Sequence, residues 1–240
     1  MEPEVNAMVE TISRAQATLL SNSADITMIF EIHNLLRAGQ RGRGRQRLEV
    51  ANKAAVVLVT AFWEAFCEDL ATEALTHLVE YSESPQNLPL GLRKRIAKDL
   101  AKDPHELAMW QLADDGWRNL LKKRQSELQE ERNRRLNTPK ADRIDEFFQF
   151  ALGIGDISDS WVWSGMSAER AREKLDGYVA LRGEIAHRGA AAKPVSKTTV
   201  KDYYNHIRHL AFETGITINL AMRKATGRRL YVAEVPYTNV

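Results

Sequence analysis

The sequence predicts an all-α protein. Two patterns typical of helices separated by turns are present, and the pattern typical of strands is nearly absent. Apolar residues recur at steps of three and four along most of the chain, which is the spacing of one face of an α-helix. Glycine and proline are grouped in short stretches that separate these segments. The alternation typical of a half-buried strand is nearly absent before the last dozen residues. We therefore expect a helical bundle.

The helix signals follow one another along the whole chain, separated by turn residues. They predict helices over residues 4–20, 24–38, 48–81, 90–102, 104–114, 117–135, 139–152, 168–187 and 196–224. Two starts carry capping signals, Thr138 before Pro139 and, later, Ser167. The predicted divisions are N-terminal helices with a basic loop, a helical core and a tail, at residues 1–47, 48–225 and 226–240. The tail is expected to form a strand or an extended arm on a partner.

The segment 48–81 gives the strongest helix signal and is predicted to be central. It is apolar on two sides, with Ala55, Leu58, Phe62, Phe66, Leu70 and Ala74 on one and Val57, Ala61, Ala71 and Leu75 on the other. Glu64 lies among the second set. Because burying a lone carboxylate is costly, Glu64 is expected to be paired or to face a functional cleft.

Composition and charge exclude several classes of protein. Apolar residues make up 44% of the 240 residues, which argues against disorder. The net charge is only +2, so any binding of an anion must come from a local cluster rather than from the whole molecule. The single cysteine, Cys67, excludes an intramolecular disulfide, and we expect a buried thiol in a reducing compartment.

No targeting or membrane-spanning segment is predicted. The N-terminal segment is acidic and lacks the basic and apolar parts of a signal peptide. The most apolar run, at residues 54–63, has about half the length needed to cross a bilayer. We therefore expect a soluble cytoplasmic protein that makes no contact with a membrane.

A basic stretch at residues 37–47 is predicted to be a loop, because no regular element tolerates its glycines well. Its arginines include Arg41, Arg43 and Arg45. Contacts with a phosphate backbone need charge more than fixed geometry, so these three are candidate RNA-binding residues. A solvated loop explains the same pattern, and both interpretations stay open.

Other residues that could carry chemistry give weaker signals. His206 and His209 lie three apart on the last predicted helix, but no third ligand lies at a matching offset, so a surface or interface pair is favoured over a metal site. The tryptophans are favoured as core or interface anchors over groups that stack on bases. The chain has neither a Gly-rich phosphate loop ahead of a helix nor a nucleophile elbow. We expect no metal and no cofactor.

Arg182 and His187 lie near the end of one predicted helix. Their spacing separates them by about 140° around the helix axis and about 7.5 Å along it. Histidine exchanges protons near neutral pH and arginine binds phosphate oxygens, so the pair could serve phosphodiester chemistry. From spacing alone, the favoured interpretation is an exposed arginine and a helix-terminal histidine stabilised by the helix dipole.

Three segments, in order, change this interpretation. LRGEIAHRG at residues 181–189 resembles the signature of HEPN domains, in which an arginine is followed four to six residues later by a histidine. AFWEAFCEDL at 61–70 resembles the early central helix of the RiboL-PSP branch, with an acidic residue after an aromatic one. NTPKADRIDEFFQFALGIGDISDSWVW at 137–163 resembles its middle segment. The resemblance covers about residues 48–189.

The resemblance implies an all-α HEPN-type bundle with additional helices, forming a homodimer through its motif-bearing helices. Two Arg-His motifs would then face one cleft and cleave RNA without a metal, leaving a 2′,3′-cyclic phosphate and a 5′-hydroxyl. His187 would be the general acid or base, Arg182 would hold the phosphate, and Glu64 would orient one of them. The implied setting is a toxin or antiviral defence effector with a cognate antitoxin or defence partner.

One position departs from the family pattern. The residue after the motif arginine is often polar in the family, and here it is Gly183. Either Glu184 or Arg188 substitutes for it, or the activity is reduced; both residues are candidate RNA-binding residues. The alternatives are a non-catalytic HEPN dimer that binds RNA or a partner protein, and a helical interaction or immunity protein in which Arg182 and His187 are structural.

Overall fold

The computed structural model describes residues 12–39, 43–130, 136–188 and 194–232. Within these ranges the chain forms a bundle of α-helices and no strand, which confirms the predicted all-α class. The helices are α1 (Arg14–Ser21), α2 (Ser23–Gly39), α3 (Arg43–Tyr81), α4 (Leu90–Ala101), α5 (Gly116–Glu130), α6 (Ala141–Leu152), α7 (Ala168–Arg188) and α8 (Lys197–Thr226). Short 3-10 helices occupy Pro85–Asn87, Ala108–Leu112 and Ile157–Ser160.

Helix α3 is the axis of the bundle. It contacts α1, α2, α5, α6, α7 and α8, which explains why its sequence is apolar on two sides. Trp63 and Leu70 are fully buried on it. The Trp63 ring meets Trp161 edge to face, with ring centroids 6.0 Å apart, and so ties α3 to the loop before α7. The central position predicted for this helix is therefore the one observed.

Helix α8 runs parallel to α3. Near its start, the Tyr203 hydroxyl lies 2.9 Å from Thr60 Oγ1 of α3. Near its end, the Thr226 hydroxyl lies 3.0 Å from the His77 ring of α3. Contacts therefore advance in the same direction along both helices. This pairing brings the start of α8 against the middle of α3, where Glu64 lies one turn after Thr60.

Helix α7 runs antiparallel to α8 and also packs on α3. The His206 ring hydrogen-bonds the Ala171 carbonyl at 3.0 Å near the start of α7. One to two turns further along α7, Tyr178 stacks on Tyr203, with ring centroids 4.2 Å apart. The end of α7, which carries Arg182 and His187, is thereby directed toward the start of α8.

The predicted loop at residues 37–47 is wrong in part, because α2 reaches Gly39 and α3 begins at Arg43. Arginine and glutamine are good helix formers, and a glycine costs only about 1 kcal/mol in a helix interior, so a long helix can extend into this sequence. The side chains of Arg43 and Arg45, and the whole of Arg41, lie outside the described residues. Their predicted contact with RNA remains a prediction.

The helix predicted at residues 104–114 is also wrong. The Asp103 carboxylate accepts a hydrogen bond from His105 N at 2.9 Å, which favours a turn over a helix at this point. Only the 3-10 helix Ala108–Leu112 follows, and Asp114 adopts a positive φ of 49°. Local turn chemistry therefore overrides the helical pattern in this region.

The predicted Thr138 cap is wrong, whereas the Ser167 cap is confirmed. Helix α6 begins at Ala141, whose backbone N–H donates to the Asp176 carboxylate of α7 at 3.0 Å. A side chain distant in sequence has taken over the capping role. The Ser167 hydroxyl accepts from Arg170 N at 3.3 Å, as expected of an N-cap.

The described part of both terminal segments joins the core of the molecule. Leu19 of α1 and Ile26 of α2 belong to the same apolar cluster as the other helices. After α8, Tyr231 is buried, and its carbonyl accepts from the Asn219 side chain at 3.1 Å. Residues 228–232 are not helical, and the strand or arm predicted for the tail falls mainly on residues outside the described ranges.

One helical stretch, Leu48–Tyr81, is long and apolar enough to cross a membrane by length and composition. The buried core helix of a soluble protein passes the same test. In this structure the stretch is the part of α3 that the other helices surround. Of the most apolar window in this stretch, 44% is buried inside the bundle.

Candidate functional site

Glu64 of α3 and Arg182 of α7 come together where α3, α7 and α8 meet. The charge of Arg182 lowers the pKa of Glu64, and both charges act on the pKa of Tyr203 of α8. Coulombic interactions weaken with distance, so these effects indicate that the three groups lie near one another. We call these three residues the Glu64 site.

Burial raises the pKa of the Glu64 carboxyl from 4.5 to about 7, while Arg182 lowers it and Glu68 raises it. The carboxyl is only partly enclosed, but its Oε1 atom is buried and has no hydrogen-bond partner among the described residues. A carboxyl with a pKa near 7 holds or releases a proton at neutral pH, which is the behaviour required of an acid–base group.

Arg182 has a similar unused group. Its Nε atom is buried and has no hydrogen-bond partner within the described chain, although the guanidinium is close enough to affect Glu64. Buried polar groups are nearly always hydrogen-bonded, and an exception calls for a specific explanation. A donor at Arg182 and an acceptor at Glu64, both unused and in one place, form a site that can receive a polar ligand.

Tyr203 also belongs to this site, although it is not among the site residues predicted from the sequence. The Thr60 hydroxyl donates to the Val56 carbonyl at 3.0 Å, so the Tyr203 hydroxyl donates its proton to Thr60 at 2.9 Å. Burial raises the pKa of Tyr203, so the phenol stays neutral. Its partner is 143 residues away, and only the parallel pairing of α3 with α8 brings the two together.

His187 lies apart from the enclosed part of the site. It is exposed on the last turn of α7, whereas Arg182 is partly buried toward α3. Because the helix continues to Arg188, the two side chains are separated by about 140° around its axis. Within the described residues, no hydrogen bond or ion pair links His187 to Glu64 or Arg182.

Gly183 follows the motif arginine in an open environment. A Cβ added at this position would meet no atom within 4 Å, and the same is true of Gly177, six residues earlier on α7. Neither glycine has a positive φ. Packing therefore does not require a glycine at position 183, and a polar side chain would fit there.

The remaining predicted RNA-binding residues have less definite positions. Glu184 is exposed on α7. The backbone of Arg188 completes α7, but its side chain lies outside the described part of the structure, as do the side chains of Arg43 and Arg45 at the start of α3 and the whole of Arg41. The structure therefore brings together Glu64 and Arg182 of the predicted set, and it adds Tyr203.

The two histidines of α8 are held by neighbouring rings. Burial lowers the pKa of His206 to about 4, and its Nε2 atom bonds Ala171 O. His209 stacks on Trp163, with ring centroids 4.8 Å apart and planes 8° apart.

Among the described residues no group of three or more His, Cys, Asp or Glu side chains is arranged to hold a metal ion. Trp161 and Trp117 are buried, as expected of core anchors, whereas Trp110 is exposed.

Comparison with known proteins identifies one relationship. The family model described as RiboL-PSP-HEPN matches residues 22–218 of this chain. The match includes α3, α7 and most of α8, and therefore the whole Glu64 site. No curated protein and no solved structure matches the chain.

Proposed function

The chain belongs to the RiboL-PSP-HEPN family, and from this premise we propose that it is an endoribonuclease that needs no metal. The observation that supports the proposal is the pair of enclosed, unused polar atoms, Glu64 Oε1 and Arg182 Nε, on the helix pair that also carries exposed His187. Arginine can bind two phosphate oxygens at once, and histidine exchanges protons at neutral pH. Together they match the needs of phosphodiester cleavage.

In the proposed reaction a base removes the proton of an RNA 2′-hydroxyl, and that oxygen attacks the adjacent phosphorus. The bond between phosphorus and the 5′-oxygen breaks, and an acid donates a proton to the departing oxygen. The products are a 2′,3′-cyclic phosphate and a 5′-hydroxyl. His187 takes one of the two proton-transfer roles. Arg182 stabilises the charge that develops on the phosphate oxygens, and Glu64 orients Arg182.

The second proton-transfer group in this proposal is the partner's His187, in a homodimer formed through α7. His187 faces outward and Arg182 inward on the same helix, so a phosphate held by Arg182 is reached more easily by a histidine that approaches from outside. Ala180 is exposed two turns before His187 on the same side of α7, and its small side chain allows another helix to approach closely.

The test of the activity is cleavage of a mixed-sequence fluorescent RNA in the presence of a chelator. We expect the wild type to cleave it to cyclic-phosphate ends and the His187→Ala variant to be inactive. His105→Ala, a change at an exposed histidine in the turn after α4, is the matched control and should retain activity. A wild type that is folded but inactive on every RNA, or equal cleavage by His187→Ala, would contradict the proposal.

The dimer has its own test. The Ala180→Arg variant places a bulky charge on the proposed interface, so we expect a folded monomer without activity. Sedimentation velocity gives the oligomeric state, and the same cleavage assay gives the activity. Mixing Arg182→Ala with His187→Ala chains then measures how the two sites are shared. A fully active monomer would rule out a shared cleft.

A second candidate function is RNA binding without cleavage, and Gly183 is the observation that favours it. The open space at this position means that the missing polar group could be restored without disturbing the packing. If the wild type binds RNA but does not cleave it, we expect Gly183→Asn to gain cleavage. Gly177→Asn, in equally open surroundings on the same helix, is the matched control and should gain none.

The biological role that accompanies the first candidate is that of a toxin or antiviral defence effector restrained by an antitoxin or another defence protein. Family membership is the support for this role. A third interpretation, a helical interaction or immunity protein with structural Arg182 and His187, predicts that both residues tolerate substitution. Co-expression with genes encoded beside this one, scored by cell growth for the wild type and His187→Ala, distinguishes these roles.

A further inference from the structure

Helix α7 carries a line of residues that leads from the Glu64 site to a ring stack at its other end. Lys174, Tyr178 and Arg182 lie four residues apart, so each is one turn beyond the last on the same side of the helix. At the start of the line, Trp163 and His209 form the parallel stack described above. These five residues are called the α7 track.

Backbone hydrogen bonds close the turn that carries Trp163, one ring of the stack. Trp163 and Met166 exchange two backbone hydrogen bonds, of 3.2 and 2.8 Å, across a tight turn in which Gly165 has a φ of 75°. Both Trp163 and His209 remain partly exposed. A preformed pair of stacked rings with exposed surface is the kind of platform on which a nucleobase adds a further ring.

The charges around the stack favour an anion. Burial lowers the pKa of His209, and the charges of Arg208 and Lys174 lower it further. Lys174 is exposed, and its Nζ lies 5.9 Å from the centre of the Tyr178 ring. Asp202 is the carboxylate that acts on Tyr178, from the α8 side. The two charged groups that act on His209 of the stack are therefore both cations.

We propose that the α7 track binds single-stranded RNA, with a base on the Trp163–His209 stack and the backbone passing Lys174 and Tyr178 to Arg182. The track is continuous with the Glu64 site, which argues for the substrate rather than another ligand. From Lys174 to Arg182 it rises about 12 Å, the length of three to four nucleotides at about 3.4 Å for each nucleotide of a stacked strand. This inference deepens the proposed function by naming the form of RNA and rests on it.

The test is binding of a fluorescent single-stranded oligoribonucleotide by His187→Ala chains, which leave the RNA intact, measured by anisotropy at several salt concentrations. Adding His209→Leu should weaken binding about tenfold or more because a stacking ring is lost. Adding His209→Phe should preserve most of the affinity. Adding Lys174→Gln should weaken binding and reduce the slope of log affinity against log salt by about one. Lys122→Gln, at an exposed lysine of α5, is the matched control and should change affinity less.

Several results would overturn the inference. Equal RNA affinity for all variants, equal binding of duplex and single-stranded RNA, or no binding even at low salt would each do so. A fourth such result is that the track variants keep their RNA affinity but no longer self-associate. The last would assign the track to a second copy of the chain. Binding with the expected pattern by a wild type that cleaves nothing would support the track and contradict the nuclease. Cleavage by the wild type, with unchanged RNA affinity in the track variants, would support the nuclease and contradict the track.

Discussion

Two arginines on α7 lie in clusters of opposite character. Arg172 donates to the Ser158 hydroxyl at 3.2 Å and pairs with Asp159, while Asp145 accepts from both the backbone N–H and the hydroxyl of Ser158, at 2.8 and 2.6 Å. We call this group the Ser158 cluster. Ten residues later, Arg182 lies near enough to Glu64 to lower its pKa, and each has a buried polar atom without a hydrogen-bond partner in the described structure.

The difference in hydrogen bonding indicates that the two clusters on α7 have different roles, one structural and one functional. The Ser158 cluster joins α6, a 3-10 helix and α7 by hydrogen bonds that are already made, so it stabilises the fold. The Glu64 site keeps a donor and an acceptor unused, which costs stability, and a bound phosphate oxygen could accept from the Arg182 donor and so return part of that cost. Substitutions in the two clusters should therefore affect different measurements.

The largest expected effect comes from replacing the two arginines in turn. Arg182→Met should reduce RNA cleavage by about 100-fold or more, because charge that develops on the phosphate is no longer stabilised. Arg172→Met should leave cleavage by folded molecules unchanged and lower the free energy of unfolding. Unfolding should be measured at pH 5.5, where Glu64 is mostly protonated and loses little when its cationic neighbour is removed. Equal losses of activity in both variants would remove the distinction.

The next effect in size is on the Ser158 cluster. Asp145→Ala removes an acceptor of two hydrogen bonds, and hydrogen bonds to a charged group contribute about 1.5–3 kcal/mol each. We expect the free energy of unfolding to fall by about 3 kcal/mol in urea denaturation. Glu146→Ala, at the exposed neighbouring position on α6, should change it by less than about 0.5 kcal/mol. A similarly small change for Asp145→Ala would mean that the cluster is not structural.

A smaller effect concerns the pH dependence of Glu64. Its folded pKa of about 7 exceeds its unfolded value, so its contribution to stability is complete below pH 4.5 and declines as the pH rises toward and through 7. Glu64→Gln should match the wild type at pH 4.5 and be more stable at pH 8. The difference should be on the order of 1 kcal/mol, because solvent screens a partly exposed carboxylate. A variant less stable than the wild type at pH 8 would show that Glu64 is well paired.

The smallest expected effects are at the two open glycines of α7. Gly183→Ala and Gly177→Ala should each raise the free energy of unfolding by about 0.5–1 kcal/mol, because alanine loses less backbone entropy in a helix and meets no neighbour here. Thermal and urea unfolding would measure both. A loss of stability at Gly183 alone would indicate that the chain packs closely around the motif in solution.

The sequence predicted much of the fold because helix periodicity is a local signal. The helices that carry Glu64 and Arg182 were predicted close to their observed positions, since each presents a long apolar face. The error at residues 104–114 arose from local turn chemistry, and the error at the start of α6 arose from a contact distant in sequence. Asp176 of α7 caps α6 in place of Thr138, and that exchange depends on how the two helices pack.

The candidate site was predictable only in part, for the same reason. Arg182 and His187 belong to a short motif, and Glu64 was noticeable as an acid among apolar neighbours. Tyr203 carries no such signal, because a tyrosine in an amphipathic helix is ordinary. Its place in the site depends on a hydrogen bond to Thr60, and that contact exists only after α3 and α8 have paired.

The single cysteine of the chain lies on α3, so its chemical labelling can report when the helices around α3 separate. Cys67 has no exposed surface and lies one turn from Glu64, and burial raises its pKa well above the usual value. A thiol reagent can therefore react only when the helices around α3 separate, so the labelling rate follows the opening of the bundle centre. Because no other cysteine competes, that rate can be read on the unmodified protein, with and without RNA.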